Sequence, residues 1–349
     1  MLTITHHIPD GLLTASATQL HQILPGPTLC HLTGKNPHPL FISVLLHGDE
    51  TTGLLAVQQL LTQYARYTLP RSLSIFIGNV EAARWQRRRL DHQPDYNRIW
   101  CGTGGDEFSM ADTILREMAR REVFAAIDIH NNSAANPDYA MIPRLDPPSI
   151  ALARMFSNKL VFFLQPHAAQ SSAFGELCPA VTIECGTPGQ REGVENSVRF
   201  LDWILNLKDL PQDPGPMETL NLYRIAATIK VSPSHPFGFD PQAAQTVCFM
   251  VDPARDNFQM MPQGTLFAVG CNPKHSCLEV IDPEGNDLFD RFFSLEESRL
   301  ITASSFVPAM LTTNLQIIRQ DCLGYILEQV RNLPLPGIGI MDQRKAIHP

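Results

Sequence analysis

Four residues of this chain have the types needed to hold and use a metal ion: His47 and Glu50, three apart, then His130 and Glu184. Imidazole nitrogen and carboxylate oxygen are both good zinc ligands, and two His with one Glu supply three. A fourth position then stays open for water, as in catalytic rather than structural sites. A metal held this way acidifies water and polarises a carbonyl. A carboxylate that is not a ligand can then remove the proton of the attacking water. Glu184 is the candidate for that role. With 12 His in the chain, a His-x-x-Glu spacing arises by chance about once at average Glu usage. Its weight comes from where it lies.

Residues 41–46 form an apolar run that reads as a strand buried on both faces. The run breaks at His47-Gly48-Asp49-Glu50, and apolar positions at Leu54, Leu55, Val57, Leu60 and Leu61 predict a helix after it. His130 follows a predicted strand over 123–129, and Glu184 follows one over 180–183. All the candidates therefore sit at carboxyl ends of buried strands, where open α/β sheets place their ligands.

Other strands are predicted over 28–33, 40–46, 73–77 and 160–164, the first two separated by a turn at Gly34-Lys35-Asn36-Pro37. Helices are predicted over 54–67, 110–121 and 193–207, and another follows Pro147-Pro148 and runs through Met155. This alternation indicates an α/β fold with a mainly parallel sheet covered on both faces. Residues 80–105, rich in Arg, Asp, Asn and Gly, read as a long functional loop. A Pro-rich stretch at 210–216 reads as a linker. It divides a domain at 1–212 from a smaller β-rich one at 213–349, with strands over 220–231, 246–251, 265–269 and 277–281. Residues 315–330 fit helix or strand, and 334–340 read as a loosely packed tail.

Composition narrows the partners. A net charge of −8 argues against a nucleic-acid surface, and Arg87-Arg88-Arg89 is too short a run to act as a polyanion patch. No apolar stretch approaches the ~18 residues of a membrane span, and the first ten residues do not read as a secretory signal. The eight cysteines show no Cys-x-x-Cys pair and read as reduced thiols of a cytoplasmic protein. No coiled-coil pattern is visible, and a homo-oligomer is compatible with the sequence.

His47-Gly48-Asp49-Glu50-Thr51, Asp95-Tyr96-Asn97-Arg98, Asp128-Ile129-His130 and Glu184-Cys185-Gly186 occur in this order. Together they resemble the succinylglutamate desuccinylase and aspartoacylase family, relatives of the zinc carboxypeptidases. The resemblance covers roughly residues 28–205 and continues faintly at Asn257-Phe258 and Pro262-Gln263-Gly264. It implies a zinc-carboxypeptidase-like mixed, mainly parallel sheet, one zinc per chain and hydrolysis of the amide bond of a small, carboxylate-bearing N-acyl amino acid. It also implies His47, Glu50 and His130 as ligands, Glu184 as base, and a β-rich second domain that caps the active site.

Asn97 and Arg98 match the family pair that holds a substrate carboxylate, since a guanidinium forks onto a carboxylate with two hydrogen bonds. Arg89 is the nearest match to the family's oxyanion-stabilising Arg, with Arg87 and Arg88 as alternatives in register. Asn131 begins a polar loop suited to face substrate. His167 lies in a loop before Glu184 and reads as a surface residue. No counterpart of the further aspartoacylase Arg and Tyr is found, which weighs against N-acetylaspartate. The rival readings are a carboxypeptidase acting on short peptides and a metal-bound binding protein without catalysis.

Overall fold

The strand ahead of His47 is β3 (Gly34–Val44), flanked on its two sides by β4 (Leu69–Ile77) and β5 (Ala125–His130), both parallel to it. Beyond β5 lies β8 (Ala180–Glu184), again parallel. The computed structural model describes residues 1–132, 135–216, 219–232, 236–242, 247–272 and 277–330. Its described residues form two compact units, one of 1–131 and 138–222, the other of 132–137 and 223–330. The predicted tail at 334–340 lies outside the described residues.

In the first unit the remaining strands are β1 (Thr3–Thr5), β2 (Thr28–Leu32), β6 (Tyr139–Ile142) and β7 (Lys159–Phe162). The order is β1-β2-β4-β3-β5-β8-β6-β7. Only the β2–β4 and β6–β8 pairings are antiparallel, so the sheet is mixed and mainly parallel, as expected.

Residues on the central strands alternate between two buried faces. Phe41, Phe76 and Ala126 pack under α3 (Asp106–Arg120), through Met110, Ile114 and Met118, and under Phe174 of α5 (Gln170–Phe174). On the opposite face α1 (Thr52–Gln63) rests so closely that a Cβ on Gly53 would lie 2.9 Å from Val44 Cγ1. There α1 packs against α6 (Arg191–Asn206). The unit's other α-helices among the described residues are α2 (Val80–Arg84) and α4 (Pro147–Arg154).

From β3 the chain runs through α1 to β4 on one side, then returns to β5 on the other. The carboxyl end of β3 is therefore a topological switch point, the place where such sheets form a crevice.

Two local expectations differ from the structure. Gly34 to Pro37 is not a turn; β3 already begins at Gly34, and β4 lies between β2 and β3. Pro37 and Pro39 fall in an irregularity where pairing to β4 slips between Asn36 and Leu40, the place in a sheet that tolerates proline. Gly34 is needed for closeness, since a Cβ there would lie 2.2 Å from the Arg71 carbonyl carbon. The stretch 80–105 is also not all loop, because Asn79 caps α2 by accepting from the Ala82 N–H.

That short helix builds the turn after β3. Leu45 takes a left-handed conformation at φ 55°, which ends the strand, and the Gly78 and Asn79 N–H groups hold the Val44 and Leu45 carbonyls. Gly48 then sits against α2, where a Cβ would lie 2.2 Å from Ala83 N. We expect Gly48→Ala to cost about 1–3 kcal/mol, the usual cost of overpacking, because the obstacle is backbone and cannot rotate away. Urea unfolding measures it; an unchanged midpoint would show that α2 yields freely.

In the second unit β9 (Asn221–Val231) pairs antiparallel with β13 (Leu278–Ile281) and with β17 (Gly324–Gln329), and β17 pairs with β16 (Val307–Ala309). A second sheet orders β10 (Phe237–Gly238), β11 (Val247–Phe249), β12 (Leu266–Val269), β15 (Arg299–Thr302) and β14 (Phe293–Glu296). Phe249, Phe267, Phe292, Phe293 and Phe306 fill its core. Residues 315–330 are both things: a short helix α7 (Leu315–Gln320), capped by Asn314, and then β17. Among the described residues no helix is long and apolar enough to cross a membrane.

Candidate metal centre and catalytic site

The carboxyl ends of β3, β5 and β8 bring His47, Glu50, His130 and Glu184 into one buried region. Ligand atoms of His47, Glu50 and His130 lie within 4.8 Å of one another. Glu50 is the hub. Its Oε1 is 2.7 Å from His47 Nδ1, and its Oε2 is 2.6 Å from His130 Nδ1 and 3.1 Å from the Asn131 N–H.

Each imidazole is also held from behind. His47 Nε2 lies 3.0 Å from Asp95 Oδ1, and His130 Nε2 lies 2.7 Å from Asp128 Oδ2. Asp128 is itself oriented by the Ser43 hydroxyl, which donates to Oδ1 at 2.7 Å. A carboxylate behind each ring is the outer shell that fixes metal-ligating histidines and raises their basicity. Both Nδ1 atoms thus face one point together with a carboxylate, and this N,N,O donor set fits a single zinc.

The electrostatics agree with a site built for a cation. Burial and the Arg88 charge oppose protonation of His47, yet Glu50 and Asp95 outweigh them and raise its pKa. His130 is raised well above the ordinary imidazole range; burial opposes this, but Asp128 and Glu50 prevail. Glu50 and Asp95, despite burial, are held well below the usual carboxylate range by the histidines.

Glu184 pairs in register with His130 across β5 and β8, so the two lie on adjacent strands about 4.8 Å apart. It is buried, and its Oε2 has no hydrogen-bond partner among the described residues. Burial pushes its pKa up to about 7, with the Glu50 and Asp128 charges adding and those of His130 and His47 opposing.

The other expected site residues fall in different places. Asn97 sits at the cluster: its Oδ1 accepts the Gln170 N–H at 2.8 Å and its Nδ2 lies 3.2 Å from His130 Nε2. The Arg98 side chain donates from one guanidinium nitrogen to the Asn97 carbonyl and makes no other hydrogen bond among the described residues.

Arg89 points elsewhere, to the Gln93 carbonyl. Arg88 is the member of the run that reaches the cluster, 3.5 Å from Glu50 Oε1 and 3.1 Å from Asp95 Oδ2. The reason is local, because the Arg88 carbonyl accepts the Gly48 N–H and turns that residue toward the His47 loop.

The Asn131 amide is engaged within the chain. That amide accepts the Thr52 N–H and donates to Thr52 Oγ1 and the Gly186 carbonyl. It thereby satisfies an unpaired N–H at the start of α1 and ties the loop after Glu184 to it. His167 is exposed.

Asp95 and Asp128 stood in the sequence motifs without a role. For Asp128 the signal was available, since it lies two residues before His130 on one strand and so shares its face. For Asp95, within an irregular segment, no periodicity could have shown it.

A protein-family model, the succinylglutamate desuccinylase/aspartoacylase catalytic domain, matches residues 38–209. No curated protein sequence matches the chain. Among solved structures, the succinylglutamate desuccinylase of Vibrio cholerae is similar at 13% identity and TM-score 0.57, over 93% of this chain and 98% of that one. That of Chromobacterium violaceum is similar at 16% and 0.55, over 85% and 86%. Murine aminoacylase 3 is similar at 13% and 0.51, over 85% and 97%. At these identities the likeness is one of fold.

Proposed function

Residues 38–209 make this chain a member of the succinylglutamate desuccinylase/aspartoacylase family, and from that premise we propose a zinc-dependent hydrolase that cleaves the amide bond of a small N-acyl amino acid. The observation that carries the proposal is the cluster itself. Two imidazole Nδ1 atoms converge on one carboxylate, each ring braced by a second carboxylate.

His47, Glu50 and His130 would hold the zinc, which when bound supplies Lewis acidity at the scissile carbonyl and acidifies water. Glu184 takes the proton of the attacking water and delivers it to the departing amine. Its raised pKa suits both halves of that task, because a carboxyl near neutrality can accept and then release a proton. Arg98, with guanidinium donors to spare, holds the substrate carboxylate. Arg88 places a permanent positive charge beside the cluster, where the tetrahedral intermediate becomes negative.

We expect Arg88→Ala to lower kcat/KM by about 10²–10³, the cost of losing one oxyanion donor, and Arg89→Ala to change it less than about twofold, as surface substitutions generally do. The reverse ranking would return the oxyanion role to Arg89. The proposal as a whole is tested by a turnover panel of N-acyl amino acids and short peptides, each with and without chelator. Chelator-sensitive release from N-acyl amino acids supports the deacylase; release from peptides alone would make the protein a carboxypeptidase. Eight free cysteines, seven of them buried, support a reducing compartment such as the cytoplasm as its place of action.

A further inference from the structure

Gln170 opens α5 and is fully buried. Its N–H is held by Asn97 Oδ1, and the other end of that Asn97 amide lies 3.2 Å from His130 Nε2. The next residue, Ser171, shares a 2.8 Å hydroxyl hydrogen bond with Thr182, two positions before Glu184 on β8. The start of α5 is thus fixed between the Asn97 segment and the strand that carries the base. In this place both polar ends of the Gln170 side chain, Nε2 and Oε1, are buried and have no hydrogen-bond partner among the described residues.

Burying an amide with all of its hydrogen bonds unmade is costly. If bulk alone were needed here, Met or Leu would supply the same volume without that cost. Such orphans in folded proteins call for a specific explanation, and here the backbone of the same residue is joined through Asn97 to the His130 imidazole. We propose that Gln170 determines specificity by hydrogen-bonding an uncharged carboxamide of the substrate; this rests on the deacylase reading above. The chemistry selects the class. A carboxamide side chain offers two donors and an acceptor without charge, so it complements a group that also donates and accepts. A substrate carboxylate at this point would be desolvated with no cation from Gln170 to balance it. A site that hydrogen-bonds a substrate group rejects the analogue that lacks it far more strongly than an apolar pocket rejects a methyl.

Two ligand pairs test this: N-acetylglutamine against N-acetylhomoleucine, and N-succinamoylleucine against N-(4-methylpentanoyl)leucine. In each pair a carboxamide is replaced by an isopropyl group of the same shape. Binding to the zinc-loaded protein is measured by calorimetry and turnover by amine release, for the wild type and for Gln170→Met, which keeps length and volume. At least one carboxamide should bind the wild type about tenfold or more tighter than its isostere. In Gln170→Met that ratio should fall to about one, through KM rather than kcat, with zinc content unchanged and the melting temperature no lower than that of the wild type. A ratio unaltered by the substitution, no discrimination by the wild type, or a lowered melting temperature with equal loss on both members of a pair would each overturn the assignment. Absence of turnover across the whole panel, with a Gln170-dependent carboxamide preference in binding, would sink the deacylase reading and leave Gln170 in its role.

Discussion

Glu184→Gln is expected to retain zinc and lose turnover by about 10²–10⁴-fold, the usual contribution of a positioned general base. Gln keeps the size of the side chain and its place beside His130, but it cannot take a proton. The pH profile supplies a second readout. The base acts only when ionised, so kcat/KM should rise with pH through the Glu184 pKa. Burial, with Glu50 and Asp128, places that pKa at about 7 before a cation is bound. A bound cation favours the charged carboxylate, so the acid limb should lie at or below that value. The limb should be present in the wild type and missing from the residual activity of the variant. Near-normal turnover in Glu184→Gln would remove Glu184 from the base role.

Removing a ligand should act one step earlier. His130→Ala or His47→Ala is expected to reduce zinc from about one per chain to near zero after dialysis, because the two remaining donors fall short of the three protein ligands that a catalytic zinc site uses. Turnover should vanish with the metal. Asp128→Asn, which leaves the ligands in place and weakens only the brace behind His130, should cost about 10–100-fold in zinc affinity.

The pH dependence of loading has a definite sign. The carboxylates around His47 and His130 raise both imidazole pKa values in the metal-free protein. A proton must leave each ligand nitrogen before metal enters, so apparent affinity should weaken as pH is lowered. Metal analysis of dialysed variants and competition with a chelator across pH measure both effects. A full zinc complement in either histidine variant would sink the ligand assignment.

The candidate ligand trio and its setting were legible in the amino-acid order because His47 and His130 each directly follow an apolar run and Glu50 lies in the same short turn as His47. A strand buried on both faces must be apolar throughout, so the first polar residues after it mark its carboxyl end. Parallel strands then gather those ends at one edge. That reasoning placed His47, Glu50, His130 and Glu184 together without any distance. It also indicated a mainly parallel sheet and the β-rich character of the later residues.

What only the tertiary structure decided lies in the irregular segments. Three consecutive arginines cannot be ranked by type or spacing; the hydrogen bond from the Gly48 N–H to the Arg88 carbonyl does so by turning Arg88 toward Glu50. Asn131 has the chemistry of a substrate contact, yet an unpaired N–H at the start of α1 claims its amide. Gly34 has the signature of a turn, yet it serves the close approach of β4. Gln170 is one Gln among many until burial removes water from its amide and leaves it without a partner. Periodicity reports which face of an element is buried; hydrogen-bond partners in loops are set by contacts distant in sequence, and no local pattern encodes them.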